Sequence, residues 1–137
     1  ASADTRFAVP AARLGLGYRY PGVKALVDLV GPSHAAEIFL TARHYDAEEA
    51  LRMGLVNRIL PVESFDDHAA TYLSSIAANA PLTMKAAKLS IRGALTRPDP
   101  NKLDEIDAAI TACFESSDYQ EGRAAFAEKR PPRFTGE

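Results

Sequence analysis

From Gly22 onward, apolar residues recur at helical spacing. Val23, Leu26, Val27 and Val30 fall at i, i+3, i+4 and i+7, one stripe on one helix face, and Gly31-Pro32 closes it. Ser33 is placed to cap a second short helix that turns Ala36, Phe39 and Leu40 toward the core. Asp46 and Glu49 have the spacing of a reciprocal capping box, and Gly54 stands where a left-handed stop is favoured, which predicts a helix over 47–53. A longer helix is expected over 64–78, with Phe65, Ala69, Tyr72, Leu73 and Ile76 on its apolar face. Pro81 suits the first turn of another, ending near Leu95, and Pro98-Asp99-Pro100 breaks the chain after it. Leu103, Ile106, Ile110, Cys113 and Phe114 form the next stripe. Asp118 and Glu121 repeat the capping-box spacing and open a last helix that stops before Pro131-Pro132.

Extended signals are few. Residues 6–9 read as a short strand stopped by Pro10, and 56–60 as a second stopped by Pro61. Between the first strand and the first helix lies a loop rich in glycine and tyrosine, Gly15 to Gly22. The expected fold is therefore mainly α with two short strands. A lone two-stranded unit is marginal and its open edges need cover. These strands are thus expected to complete a sheet whose other strands lie outside this sequence.

Composition narrows the classes. The 137 residues are 47% apolar and 25% charged, which suits a packed domain and excludes disordered and collagen-like chains. Lys and Arg number 16 against 18 Asp and Glu, a formal charge of -2, so a nucleic-acid partner is not expected. No apolar run approaches the roughly 18 residues of a membrane span and no signal-peptide pattern opens the chain, so a soluble cytoplasmic protein without a membrane partner is expected. Cys113 has no partner for a disulfide and reads as a small core hydrophobe. His34, His44 and His68 are scattered without ligand spacing, and no metal site is expected. Glu63, Asp66 and Asp67 suit a helix N-terminus.

An ordered series of motifs then carries a resemblance. Phe7-Ala8-Val9-Pro10, Leu14-Gly15-Leu16, Thr41-Ala42-Arg43, Asp46-Ala47-Glu48-Glu49-Ala50, Gly54-Leu55-Val56-Asn57-Arg58-Ile59-Leu60-Pro61 and Ala125-Phe126-Ala127-Glu128-Lys129-Arg130 resemble the C-terminal half of the enoyl-CoA hydratase/isomerase (crotonase) family. The resemblance implies the end of a crotonase-like α/β spiral of ββα repeats over 1–62 and a helical oligomerisation region over 63–137. It implies an acyl-CoA enzyme, assembled as a trimer or hexamer, that hydrates or isomerises an enoyl-CoA through a thioester enolate. The thioester is substrate, and no further cofactor is implied. The two backbone N–H groups that polarise the thioester carbonyl in this family, worth about 3 kcal/mol each in such sites, belong to the half this sequence lacks. The chain alone is then expected to be inactive. The competing expectation is a non-catalytic helical module that oligomerises or binds a partner.

The resemblance also assigns residues. The position after the strand proline, where the family's hydratases carry a glutamate, is Ala11, and a methyl group transfers no proton. The catalytic residue is therefore unknown, with Tyr18, Arg19 and Tyr20 as weak candidates in a loop that borders the acyl pocket through Pro21 and Gly22. Phe126 and Lys129 match the aromatic and the lysine that reach a neighbouring subunit's coenzyme A, one flanking the adenine, the other meeting the phosphate-bearing ribose. Without a ligand, the same residues describe an ordinary helix end, with cations at the negative pole and Phe126 buried.

Overall fold

The computed structural model describes residues 1–96 and 99–137. It divides into two compact units, Ala1–Ala69 and Ala70–Glu137.

The first unit opens with β1, Arg6–Phe7, paired antiparallel to β2, Tyr45–Asp46, with Arg6 opposite Asp46 and Phe7 opposite Tyr45. The second strand expected over 56–60 does not form as such. Leu60 alone bridges, in parallel, to Ser2, with its N–H donating to Ala1 at 3.0 Å and its carbonyl accepting from Ala3 at 2.9 Å. The extended conformation that Asp46 needs as an N-cap, φ -82 and ψ 176, is what lets 45–46 serve as the strand. A short helix, α1 (Ala11–Leu14), follows β1 where the sequence pattern predicts only loop, and stops at left-handed Gly15.

Helix α2 spans Tyr20–Thr41 and is broken at Gly31, whose φ of 78 and ψ of 163 lie outside the helical region. The expected Gly31-Pro32 break is therefore present, but Ser33 lies inside the second segment, not ahead of it. The inward face also differs from the expected one. Ala35, Ile38 and Ala42 are buried, whereas Ala36 is exposed, Phe39 half-buried and Leu40 79% exposed. Val30, Ala35, Ile38 and Tyr45 form the core, with Phe7, Val9, Leu26, Val27, Met53 and Leu55 packed against it.

The turn after α2 breaks a local rule. Ala42 ends the helix in the left-handed region at φ 46, which costs an L-residue about 1 to 2 kcal/mol. Arg43 follows and pairs with Glu37 at 2.9 Å and Glu49 at 2.8 Å, its guanidinium 3.8 Å above the Tyr45 ring. These contacts hold the Glu49 carboxyl below its usual range. α3, Ala47–Arg52, then starts as expected: the Asp46 side chain accepts from the Glu49 N–H at 2.8 Å, and Glu49 accepts from the Asp46 N–H at 3.1 Å. A 3-10 turn, Val62–Ser64, leads into α4, Phe65–Ala77.

The second unit is helical. α5 (Pro81–Thr96) begins at its proline as expected, and α6 (Pro100–Glu115) begins after Asp99, which caps it by accepting from the Lys102 N–H at 3.0 Å. Pro98, the first residue of the expected break, lies outside the described residues. The apolar stripes are present but uncovered: Tyr72, Leu73 and Ile76 of α4, and Leu103, Ile110 and Phe114 of α6, are all exposed, while Cys113 is half-buried. The last helix, α7 (Ser117–Glu128), starts one residue before Asp118, because Ser116 is its cap and accepts from the Tyr119 N–H at 3.1 Å. The Asp118–Glu121 capping box does not form. Both carboxylates hold the C-terminal tail instead.

Candidate functional site

In the first unit, Ala11 is a buried first-turn residue of α1, so no acid or base stands at that position. Tyr18 lies edge-on against Phe39, with ring centroids 5.3 Å apart, and its ring reaches to 3.8 Å of where a Cβ on Gly22 would lie. Arg19 precedes α2 as an extended residue that makes no side-chain cap. Tyr20 is 76% exposed, and Pro21 and Gly22 form the exposed first turn. The loop thus places one tyrosine in a packed contact and the other in solvent. His34, His44 and His68 are exposed, with His68 Nδ1 2.8 Å from the Ser64 carbonyl. No group of three or more His, Cys, Asp or Glu among the described residues is placed to hold a metal ion.

In the second unit, the end of α7 gathers the groups of interest. Phe126 is 88% exposed, so the ordinary helix end with a buried ring is not what forms. Lys129 follows in the left-handed region at φ 55 and ψ 37. Its N–H donates to the Phe126 carbonyl at 3.3 Å, and the Arg130 N–H reaches back to Ala125 at 3.0 Å. This is the Schellman arrangement, which favours glycine at the left-handed position, so a lysine costs about 1 to 2 kcal/mol there.

Arg130 and Glu121 brace this turn. The Arg130 guanidinium donates through Nη1 to Glu121 Oε1 at 2.6 Å and through Nη2 to Oε2 at 2.9 Å. Its Nε donates to Glu128 at 2.6 Å. Glu121 also accepts from the Arg133 N–H at 2.8 Å. The guanidinium fork, then the Arg133 N–H, pull the Glu121 carboxyl from 4.5 to about 2. Farther along, Asp118, only 3% exposed, accepts from the N–H groups of Thr135 at 2.7 Å and Gly136 at 2.9 Å. The Glu137 carbonyl accepts in turn from Ser117 Oγ at 2.6 Å. Arg130 is fully engaged by carboxylates, whereas the Lys129 ammonium has no ion pair among the described residues. Beside this end of α7 opens an apolar groove of about 720 Å3, walled by Ile110, Phe114, Phe126 and Phe134.

Comparison with known proteins places the chain. The sequence pattern of enoyl-CoA hydratase/isomerase matches residues 1–137. The chain belongs to the enoyl-CoA hydratase/isomerase family. It is 32% identical to the short-chain-enoyl-CoA hydratase of Clostridium acetobutylicum over 95% of its own length and 50% of the relative's. It is 30% identical to the methylmalonyl-CoA decarboxylase of Escherichia coli, over 99% of this chain and 53% of that one. The crystal structure of an enoyl-CoA hydratase from Mycobacterium tuberculosis superimposes with a TM-score of 0.87 at 32% identity, over 99% of this chain and 54% of that chain. The chain therefore spans about half the length of the family members it matches, and its mainly helical fold with two short strands corresponds to about half of theirs. No described helix is long and apolar enough to cross a membrane.

Two features of this helix end are not legible in the sequence pattern. Asp118 and Glu121 were legible as a pair but not as holders of the tail, because their partners lie up to 18 residues away. The left-handed turn at Lys129 had one signal, the prolines that follow it at 131 and 132.

Proposed function

We propose that these residues are the C-terminal part of a cytoplasmic acyl-CoA enzyme that hydrates or isomerises an enoyl-CoA through a thioester enolate. Residues 1–62 would close the catalytic spiral and 63–137 build a trimer or hexamer. The observation that carries this reading is the end of α7, where an 88% exposed Phe126 stands one turn from Lys129, which has no ion pair among the described residues. A stacking surface beside a free cation suits an adenine beside a phosphate. Pro21 and Gly22 would border the acyl pocket, with Tyr18, Arg19 and Tyr20 the polar groups nearest it. Ala11 argues against a two-glutamate hydration and favours isomerisation or another enolate reaction on an acyl-CoA.

The second reading, a non-catalytic oligomerising or partner-binding module, is favoured by the uncovered apolar faces of Leu73, Ile76, Leu103 and Phe114. One preparation separates the two. The untagged product of the native gene is weighed intact, assayed for enoyl-CoA turnover and titrated with coenzyme A, beside Phe126→Ala and Lys129→Ala. The enzyme reading expects binding that each variant weakens about tenfold. A product that neither binds coenzyme A nor turns over an enoyl-CoA overturns it and leaves the module.

A further inference from the structure

Lysine stands at the left-handed end of α7, a position that favours glycine, and the turn is closed there by backbone hydrogen bonds. Local rules broken in this way are expected at functional or strained sites. We propose that Glu121 is a positioning residue of the coenzyme A contact: through its fork to Arg130 it fixes the left-handed turn at Lys129 and so aims the ammonium. The proposal rests on the acyl-CoA reading of this helix end.

Three observations carry it. Arg130 is the residue immediately after the turn, and its own N–H closes the turn by bonding to Ala125. Its guanidinium is then seized at three nitrogens by Glu121 and Glu128, so the chain leaving Lys129 has one direction. Glu121 lies two helical turns before Lys129 on a regular part of α7, a rigid base for the brace, and its second task, the Arg133 N–H, ties the following residues to the same carboxylate. The brace also settles which cation is available. Arg130 is spent on carboxylates, which keeps it from competing for an incoming phosphate, and Lys129 has no ion pair among the described residues.

A lysine aimed at the ribose phosphate gives a preference for coenzyme A over dephospho-coenzyme A, and an unaimed lysine does not. The test measures both affinities for the native gene product and for Glu121→Gln, Arg130→Lys and Lys129→Ala. The wild type is expected to prefer coenzyme A by about tenfold. Lys129→Ala should abolish that preference. Glu121→Gln should reduce it to about twofold while leaving the affinity for dephospho-coenzyme A unchanged, because the ring contact needs no charge. Arg130→Lys keeps the charge but loses the fork, so it should fall between the two, and it carries the test if Glu121→Gln does not fold. Trypsin cleavage after Lys129 should accelerate in Glu121→Gln, reporting that the turn has opened. A lost preference in Lys129→Ala with an intact one in Glu121→Gln overturns the positioning role and leaves the acyl-CoA reading standing. Equal losses for both ligands in Glu121→Gln show only general damage and also overturn it. A preference that survives Lys129→Ala overturns the acyl-CoA reading of this helix end, and the positioning role with it.

Discussion

Tyr45 organises Ala1–Ala69, and a carboxylate, Asp118, organises Ala70–Glu137; both are almost wholly buried. Around Tyr45 gather Val30, Ala35 and Ile38, so the first unit is held by apolar burial. Among the described residues of the second unit the only buried apolar side chains are those of Ala86 and Ala125, while Leu73, Leu103, Ile110, Phe114 and Phe126 are exposed. Its order at the C-terminal end comes from carboxylates that gather backbone N–H groups. Both units thus expose large apolar side chains, Leu14, Leu29 and Leu40 in the first and Leu73, Leu103 and Phe114 in the second, but only the first also buries large ones among the described residues.

That contrast can be broken by substitution. Ile38→Ala should remove about 3 kcal/mol from the first unit by opening a cavity beside Tyr45, read by urea unfolding. Leu103→Ala, at an exposed apolar position of α6, should cost under about 0.5 kcal/mol in the isolated chain. Comparable losses would erase the distinction. Asp118→Ala comes next, at about 1 to 3 kcal/mol, because it orphans the Thr135 and Gly136 N–H groups. Hydrogen exchange at those two amides should report it while the Ile38 amide stays protected.

Acid gives the smallest effect and the sharpest contrast. The Glu121 carboxyl, faced by Arg130 and Arg133 and with Glu128 sharing Arg130, is drawn from 4.5 to about 2 in the folded chain. A depressed carboxylate stabilises fully above its unfolded value and stops doing so as pH falls through its folded one. The Arg133 amide should therefore lose protection, relative to its intrinsic exchange rate, between pH 4.5 and about 2. The Val30 and Ile38 amides, in an apolar core, should not follow it. A flat Arg133 profile over that interval would show that the fork contributes nothing to holding the tail.

What the sequence disclosed follows from how far each interaction reaches. The Asp46–Glu49 box and the Pro81 helix start need only neighbours within a turn, and both formed as read. The second strand was misplaced because 56–60 has strand-like residues, whereas the pairing at Tyr45–Asp46 is decided by Phe7 from far up the chain. Ala36, Phe39 and Leu40 were assigned inward beyond a cap at Ser33, whereas the segment after Gly31 turns Ala35 and Ile38 inward to meet Val30 and Tyr45. Phe126 and Lys129 were named as candidates by likeness alone. The brace beneath them was not legible, since no spacing rule connects Glu121 with a residue nine positions on that lies beyond the helix end.

The pairing of Phe7 with Tyr45 also orders events in time. It closes a loop of nearly forty residues, and such closures come after local helices have formed. At about 5 to 20 residues per second, synthesis delivers β2 some 2 to 8 s after β1. For that interval Phe7 and the open strand edge have no partner, so the first unit's aggregation hazard belongs to the nascent chain more than to the finished one.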